Sequence, residues 1–201
     1  IRIFSQMNEN SCEVRLIGHH ACRRSGGRSF VRKNAPFLSE YIEIEGKVPY
    51  LGTGYYFWDD NEDLALWWGK SHYENTFYVV ESEIVVPEGL FFDLVGKRSH
   101  MRLMGDFIAK LRKRGGYDRS EWKLAQIIEF LKVARLEDDS IAELFPFEVI
   151  RAADASGKLD LEDPVFFSPN KKGVVLLNPR IMICIFGKKE LYLQQTTILN
   201  R

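Results

Sequence analysis

With 201 residues, and 28 basic side chains balancing 28 acidic ones, the chain is long enough to bury about two thirds of its unfolded surface, and no net field draws it to nucleic acid or an anionic membrane. Hydrophobic residues at 45% and aromatics at 13% argue against a disordered or fibrous protein, and Cys12, Cys22 and Cys184, lacking C-x-x-C spacing, argue against a disulfide framework or zinc knuckle. The longest apolar run, Ile181 to Phe186, is too short to span a bilayer, so a soluble, cytoplasmic, single domain over residues 1–201 is expected.

Cys12-Glu-Val-Arg-Leu-Ile-Gly-His alternates apolar and polar residues and predicts a strand leading into His19 and His20. Arg23 to Pro49, rich in Arg, Lys, Gly and Ser, reads as a long surface segment with one short helical turn around Phe37 to Tyr41. Segments of that kind usually carry function. Gly52-Thr-Gly-Tyr-Tyr-Phe-Trp predicts a turn entering a short strand; a helix then follows, capped by Asp59 or Asp60, with Leu64, Trp67 and Trp68 on its apolar face. Thr76 to Val86 is the longest β-like run and ends at Pro87.

Helical spacing then places Met104, Phe107, Ile108 and Leu111 on one helix. Beyond Gly115-Gly116 it places Leu124, Ile127, Ile128 and Leu131 on another, behind a Ser120 cap. After Pro146 strands return at Glu148 to Ala152, Val165 to Phe167, Gly173 to Leu177, Arg180 to Phe186 and Leu191 to Ile198. Strands at both ends with helices between them predict an α+β domain in which late strands pair with distant early ones.

Three segments stand out for chemistry: Gly18-His-His-Ala-Cys, Gly52 to Phe57 and Arg180 to Phe186. Together they resemble the ADP-ribosyltransferase superfamily, in its H-Y-E branch of diphtheria-toxin and poly(ADP-ribose) polymerase type. The resemblance implies a split mixed β-sheet, NAD+ as co-substrate without a metal, and transfer of ADP-ribose to a macromolecular acceptor, protein or nucleic acid. It gives His20 the bond to the 2′-hydroxyl of the nicotinamide ribose, and the backbone of Ala21, where the family has glycine, the carboxamide. Tyr56 matches the tyrosine of Gly-x-Gly-x-Tyr-Phe and would stack on the nicotinamide, with Trp67 in the next helix as the opposite wall. A flat pyridinium cation between two such faces gains about 1–3 kcal/mol. Cleavage gives the ribose oxocarbenium character, so rate comes from holding the leaving group and stabilising that charge.

The third family residue is a glutamate opening a late strand, and Met182 occupies its place. Losing one charge-assisted hydrogen bond to the ribose costs about 1.5–3 kcal/mol, roughly ten- to a hundredfold in rate. Mono-ADP-ribosylating members of the polymerase-like group also carry an apolar residue there. The expectation is therefore single transfer, in a toxin or phage-defence setting with an antitoxin or immunity partner, or a disabled module that binds NAD+ or ADP-ribose without turnover. A slip of one residue exchanges His20 for His19. Arg23, with Arg24, Arg28, Arg32 and Lys33, could meet the pyrophosphate or a nucleic-acid target, or simply face solvent. Lys171 and Lys172 stand either in an acceptor-recognition loop or in an exposed turn. Arg15, Arg23 and Arg24 keep open an RNA 2′-phosphotransferase on the same broad fold.

Overall fold

The computed structural model describes residues 12–74, 76–113, 122–154, 165–166, 174–175 and 177–199; Gly115, Gly116, Ser120, Lys171 and Lys172 lie outside them. In chain order the elements are β1 (Glu13–Arg23), α1 (Gly27–Asn34), β2 (Leu38–Ser39), β3 (Gly54–Asp59), α2 (Glu62–Tyr73), β4 (Phe77–Pro87) and β5 (Phe91–Asp93). They continue with α3 (Arg98–Lys113), α4 (Leu124–Glu137), α5 (Asp139–Leu144), β6 (Val149–Asp154), β7 (Val165–Phe166), β8 (Val174–Val175), β9 (Arg180–Ile185) and β10 (Leu193–Ile198).

The fold is α+β. One open sheet runs β10-β4-β1-β3-β9-β6-β5, with β2 also beside β3, while β7 and β8 pair separately. Among the described strands only β5 and β6 run parallel. Two late strands pair with early ones as the element order predicts: β9 enters between β3 and β6, and β10 covers the outer edge of β4.

Period-2 alternation divides the apolar side chains between the two faces of the sheet. Trp58, Phe92, Ile150 and Cys184 point to the face covered by Met104, Phe107, Ile127, Leu131 and Phe145, forming the larger core. Phe57, Ile84, Val86, Val149, Ile183 and Ile185 form a second core on the opposite face. No described helix is long and apolar enough to cross a membrane.

The segment from Arg23 to Pro49 departs from the sequence expectation. It contains the helix α1, and the residues read as a helical turn instead supply β2. Polar residues disguise α1: Val31 is its one buried side chain, and Gly26 precedes it with no side-chain cap. Leu38 and Ser39 become strand because they pair with Tyr55 and Gly54 along an edge of β3 that β1 does not cover. The cap of α2 is Asn61, whose side chain accepts from the Leu64 N–H at 2.9 Å, rather than Asp59 or Asp60. Asp59 instead binds Arg151, whose Nε donates to it at 2.7 Å.

Candidate functional site

The site forms where β1 parts from β3. These strands pair only at Gly18 with Asp59 and His19 with Trp58, whereas β1 stays paired with β4 as far as Arg23. Farther along β3 its free edge is taken by β2. Between the two ladders the Tyr56 carbonyl has no strand partner on that side, and the His20 side chain fills the opening. Its Nδ1–H donates to the Tyr56 carbonyl at 2.8 Å, and its Nε2 accepts from the Phe37 N–H at a long 3.4 Å.

That pattern defines a neutral tautomer with the proton on Nδ1. Burial drives the His20 pKa down to about 4, against the bond to Tyr56, which raises it, while Lys189 lowers it further. Nε2 is thus a hydrogen-bond acceptor at neutral pH. The same shift sets a pH dependence of stability. The unfolded chain takes up this proton near the ordinary histidine value of 6.5, and the folded chain only near 4, so stability is full above 6.5 and falls with pH across that window. The loss is up to about 3 kcal/mol. Urea unfolding at pH 7 and pH 4.5 should show a smaller pH-dependent loss in His20→Gln than in the wild type; equal losses refute this assignment.

Tyr56 is anchored by its own turn. Its hydroxyl donates to the Gly52 carbonyl at 2.6 Å and accepts from the Leu51 N–H at 2.8 Å. Burial raises its pKa, so it stays protonated. The turn needs glycine at position 52, where φ is 81° and a Cβ would lie 2.3 Å from the Glu129 carboxylate. That carboxylate accepts from the Thr53 N–H at 2.6 Å and from Lys132 at 2.7 Å, tying the turn to α4.

A cavity of about 740 Å³ opens beside the divergence, with His20, Ala21, Tyr56 and Met182 in its wall. His19, Trp58, Trp68 and His72 line it as well, with Leu38 and Ser39 of β2. Met182 is 5% exposed and pairs across the strands with Trp58 and Ala152. Trp67 does not line the cavity: it is 43% exposed and lies under the Arg180 guanidinium, 4.9 Å from the ring centre. Trp68 lines it, stacked on His72 at 3.7 Å.

Arg23 stands at the rim rather than in the wall, its guanidinium 5.2 Å from the ring centre of Tyr73, which does line the cavity. Arg24 donates to the Phe77 carbonyl at 3.0 Å and lies over Tyr78. Arg15 pairs with Glu13 and Glu83, 3.1 Å from each. None of the three arginines lines the cavity. Among the described residues no group of three or more His, Cys, Asp or Glu side chains could hold a metal ion.

The sequence puts Trp68 on the apolar face of α2 but marks only Trp67 for the site, and neither Trp68 nor His72, although a signal for them exists. Ala65, Trp68, Gly69 and His72 fall at i, i+3, i+4 and i+7, and a glycine inside a helix weakens it unless close packing requires one. A Cβ on Gly69 would sit 2.2 Å from the Phe77 ring, so α2 descends onto the sheet along this stripe. Ala65 and Gly69 are therefore buried against the sheet, Trp68 and the exposed His72 flank the cavity on the same stripe, and Trp67 faces outward. No protein-family model matches the chain, and no curated protein or solved structure matches it.

Proposed function

We propose that the chain is an NAD+-dependent mono-ADP-ribosyltransferase of split-sheet type, which holds the nicotinamide end of NAD+ in the cavity beside the β1–β3 divergence. The observation that carries this reading is the meeting of His20, Ala21, Tyr56 and Met182, drawn from three distant segments, in one cavity wall. A neutral His20 with an accepting Nε2 suits a ribose hydroxyl, which donates. The Phe37 N–H it now accepts from, at 3.4 Å, is held weakly enough to be exchanged for such a donor.

Trp68 replaces Trp67 as the aromatic wall facing Tyr56 in this proposal, because it lines the cavity and Trp67 does not. Apolar Met182 in place of a carboxylate favours a single transfer over chain growth. The acceptor is a macromolecule, protein or nucleic acid, and a toxin or phage-defence effector with an antitoxin or immunity partner is the setting proposed.

Incubation of the purified protein with labelled NAD+ and a cell lysate tests the reading. Label should pass to macromolecules with the wild type and not with His20→Ala. Binding of NAD+ without any transfer would instead identify a binding module, and phosphate removal from 2′-phosphorylated RNA a phosphotransferase.

A further inference from the structure

We propose that His19, backed by Glu81, is the base that accepts the proton of the acceptor nucleophile; this rests on the transferase reading above. His19 and His20 are neighbours on β1, so their side chains leave the strand on opposite sides. Backbone groups engage both ring nitrogens of His20. His19 differs. Its Nε2 lies 3.3 Å from Glu81 Oε2 and donates to it, which leaves the lone pair on Nδ1. Nδ1 is buried and has no hydrogen-bond partner among the described residues, in a residue that is 5% exposed and lines the cavity.

A buried acceptor without a partner is a standing cost that a ligand's O–H or N–H relieves. The surrounding register suits a proton transfer. Glu81, His19, Trp58 and Met182 are successive cross-strand neighbours on β4, β1, β3 and β9. The carboxylate missing at Met182 is thus present three strands beyond it, coupled to the cavity through an imidazole. The Glu81 side chain is 43% exposed, so the dyad also reaches solvent.

In the proposed step, the acceptor's oxygen or nitrogen attacks the anomeric carbon of the nicotinamide ribose. The glycosidic C–N bond breaks, and its electron pair returns to the pyridinium, releasing neutral nicotinamide. The acceptor's proton passes to His19 Nδ1, and the imidazolium so formed is stabilised by Glu81 through the bond at Nε2. The positive charge lost by the pyridinium reappears on the imidazole, and proton release to solvent resets the base.

The test compares the wild type with His19→Ala and Glu81→Gln, measuring label transfer from NAD+ and, by calorimetry, NAD+ affinity. His19→Ala should lower transfer at least about a hundredfold, with a dissociation constant within about threefold of wild type. Added imidazole should restore part of the lost rate, which it would not do for a structural histidine. Glu81→Gln should lower kcat with little change in KM. Transfer by His19→Ala at the wild-type rate overturns the proposal, and so does a loss that imidazole leaves untouched. If His19→Ala fails to fold, the half-exposed Glu81→Gln decides, and an unchanged kcat overturns it. A wild type that neither binds nor consumes NAD+ overturns the transferase reading, and this proposal with it.

Discussion

Tyr56→Ala should weaken NAD+ binding by about five- to a hundredfold and remove detectable label transfer, whereas Tyr56→Phe should keep most of the binding. The ring and the hydroxyl have separable tasks. The ring forms part of the cavity wall, and stacking with cation–π attraction to a pyridinium contributes about 1–3 kcal/mol across such a sandwich. The hydroxyl joins the Leu51 N–H to the Gly52 carbonyl and holds the turn shut. Phenylalanine removes both bonds and keeps the wall, so its cost should appear as about 1–3 kcal/mol of stability. Calorimetric titration with NAD+ and urea unfolding of both variants separate the two. Equal NAD+ affinity in Tyr56→Ala and wild type would place the nicotinamide elsewhere.

Phe92→Ala should lower the unfolding free energy by about 3–5 kcal/mol. Phe92 is fully buried on β5, stacked on Phe147 at 4.4 Å and edge-on to Phe145 at 5.5 Å, with the His100 ring 5.1 Å away. Phe145 in turn meets Phe107 of α3 at 6.1 Å, so one ring cluster joins the sheet to the helical layer. Deleting its central member removes transfer free energy and leaves a void that the flanking rings are too constrained to fill. Guanidinium unfolding monitored by far-ultraviolet circular dichroism measures the loss. A change below about 1 kcal/mol would mean that the cluster collapses onto the gap, contrary to this view of its rigidity.

Sequence pattern reveals those elements whose burial is regular. Met104, Phe107 and Leu111, or the alternation through β4, are visible because many residues repeat one environment. The helix α1 buries only Val31, and the strand β5 has three residues, so neither offers a period to detect. The site divides along the same line. The turn at Gly52 and the tyrosine after it are local features and could be read directly.

Which tryptophan faces inward was not readable from hydrophobicity, since Trp67 and Trp68 are equally apolar and stand about 100° apart around the helix. The deciding residues are the small ones, Gly69, which permits close contact with Phe77, and the fully buried Ala65 one turn before it. The two histidines posed a similar difficulty. Adjacent strand positions differ in side, but the opening between β1 and β3, into which His20 turns, depends on β2, and the sequence suggested a helical turn there.

The position of β9 has a consequence for synthesis on the ribosome. Residues 180–185 are made after β3 and β6, yet they lie between those strands and supply the backbone ladders through which both join one sheet. Until they leave the exit tunnel, the nascent chain holds two unjoined sheet fragments and lacks the cavity wall that Met182 supplies. Whatever the cavity accommodates, the growing chain acquires the capacity to do so only after residues 180–185 have emerged and threaded between strands made long before them.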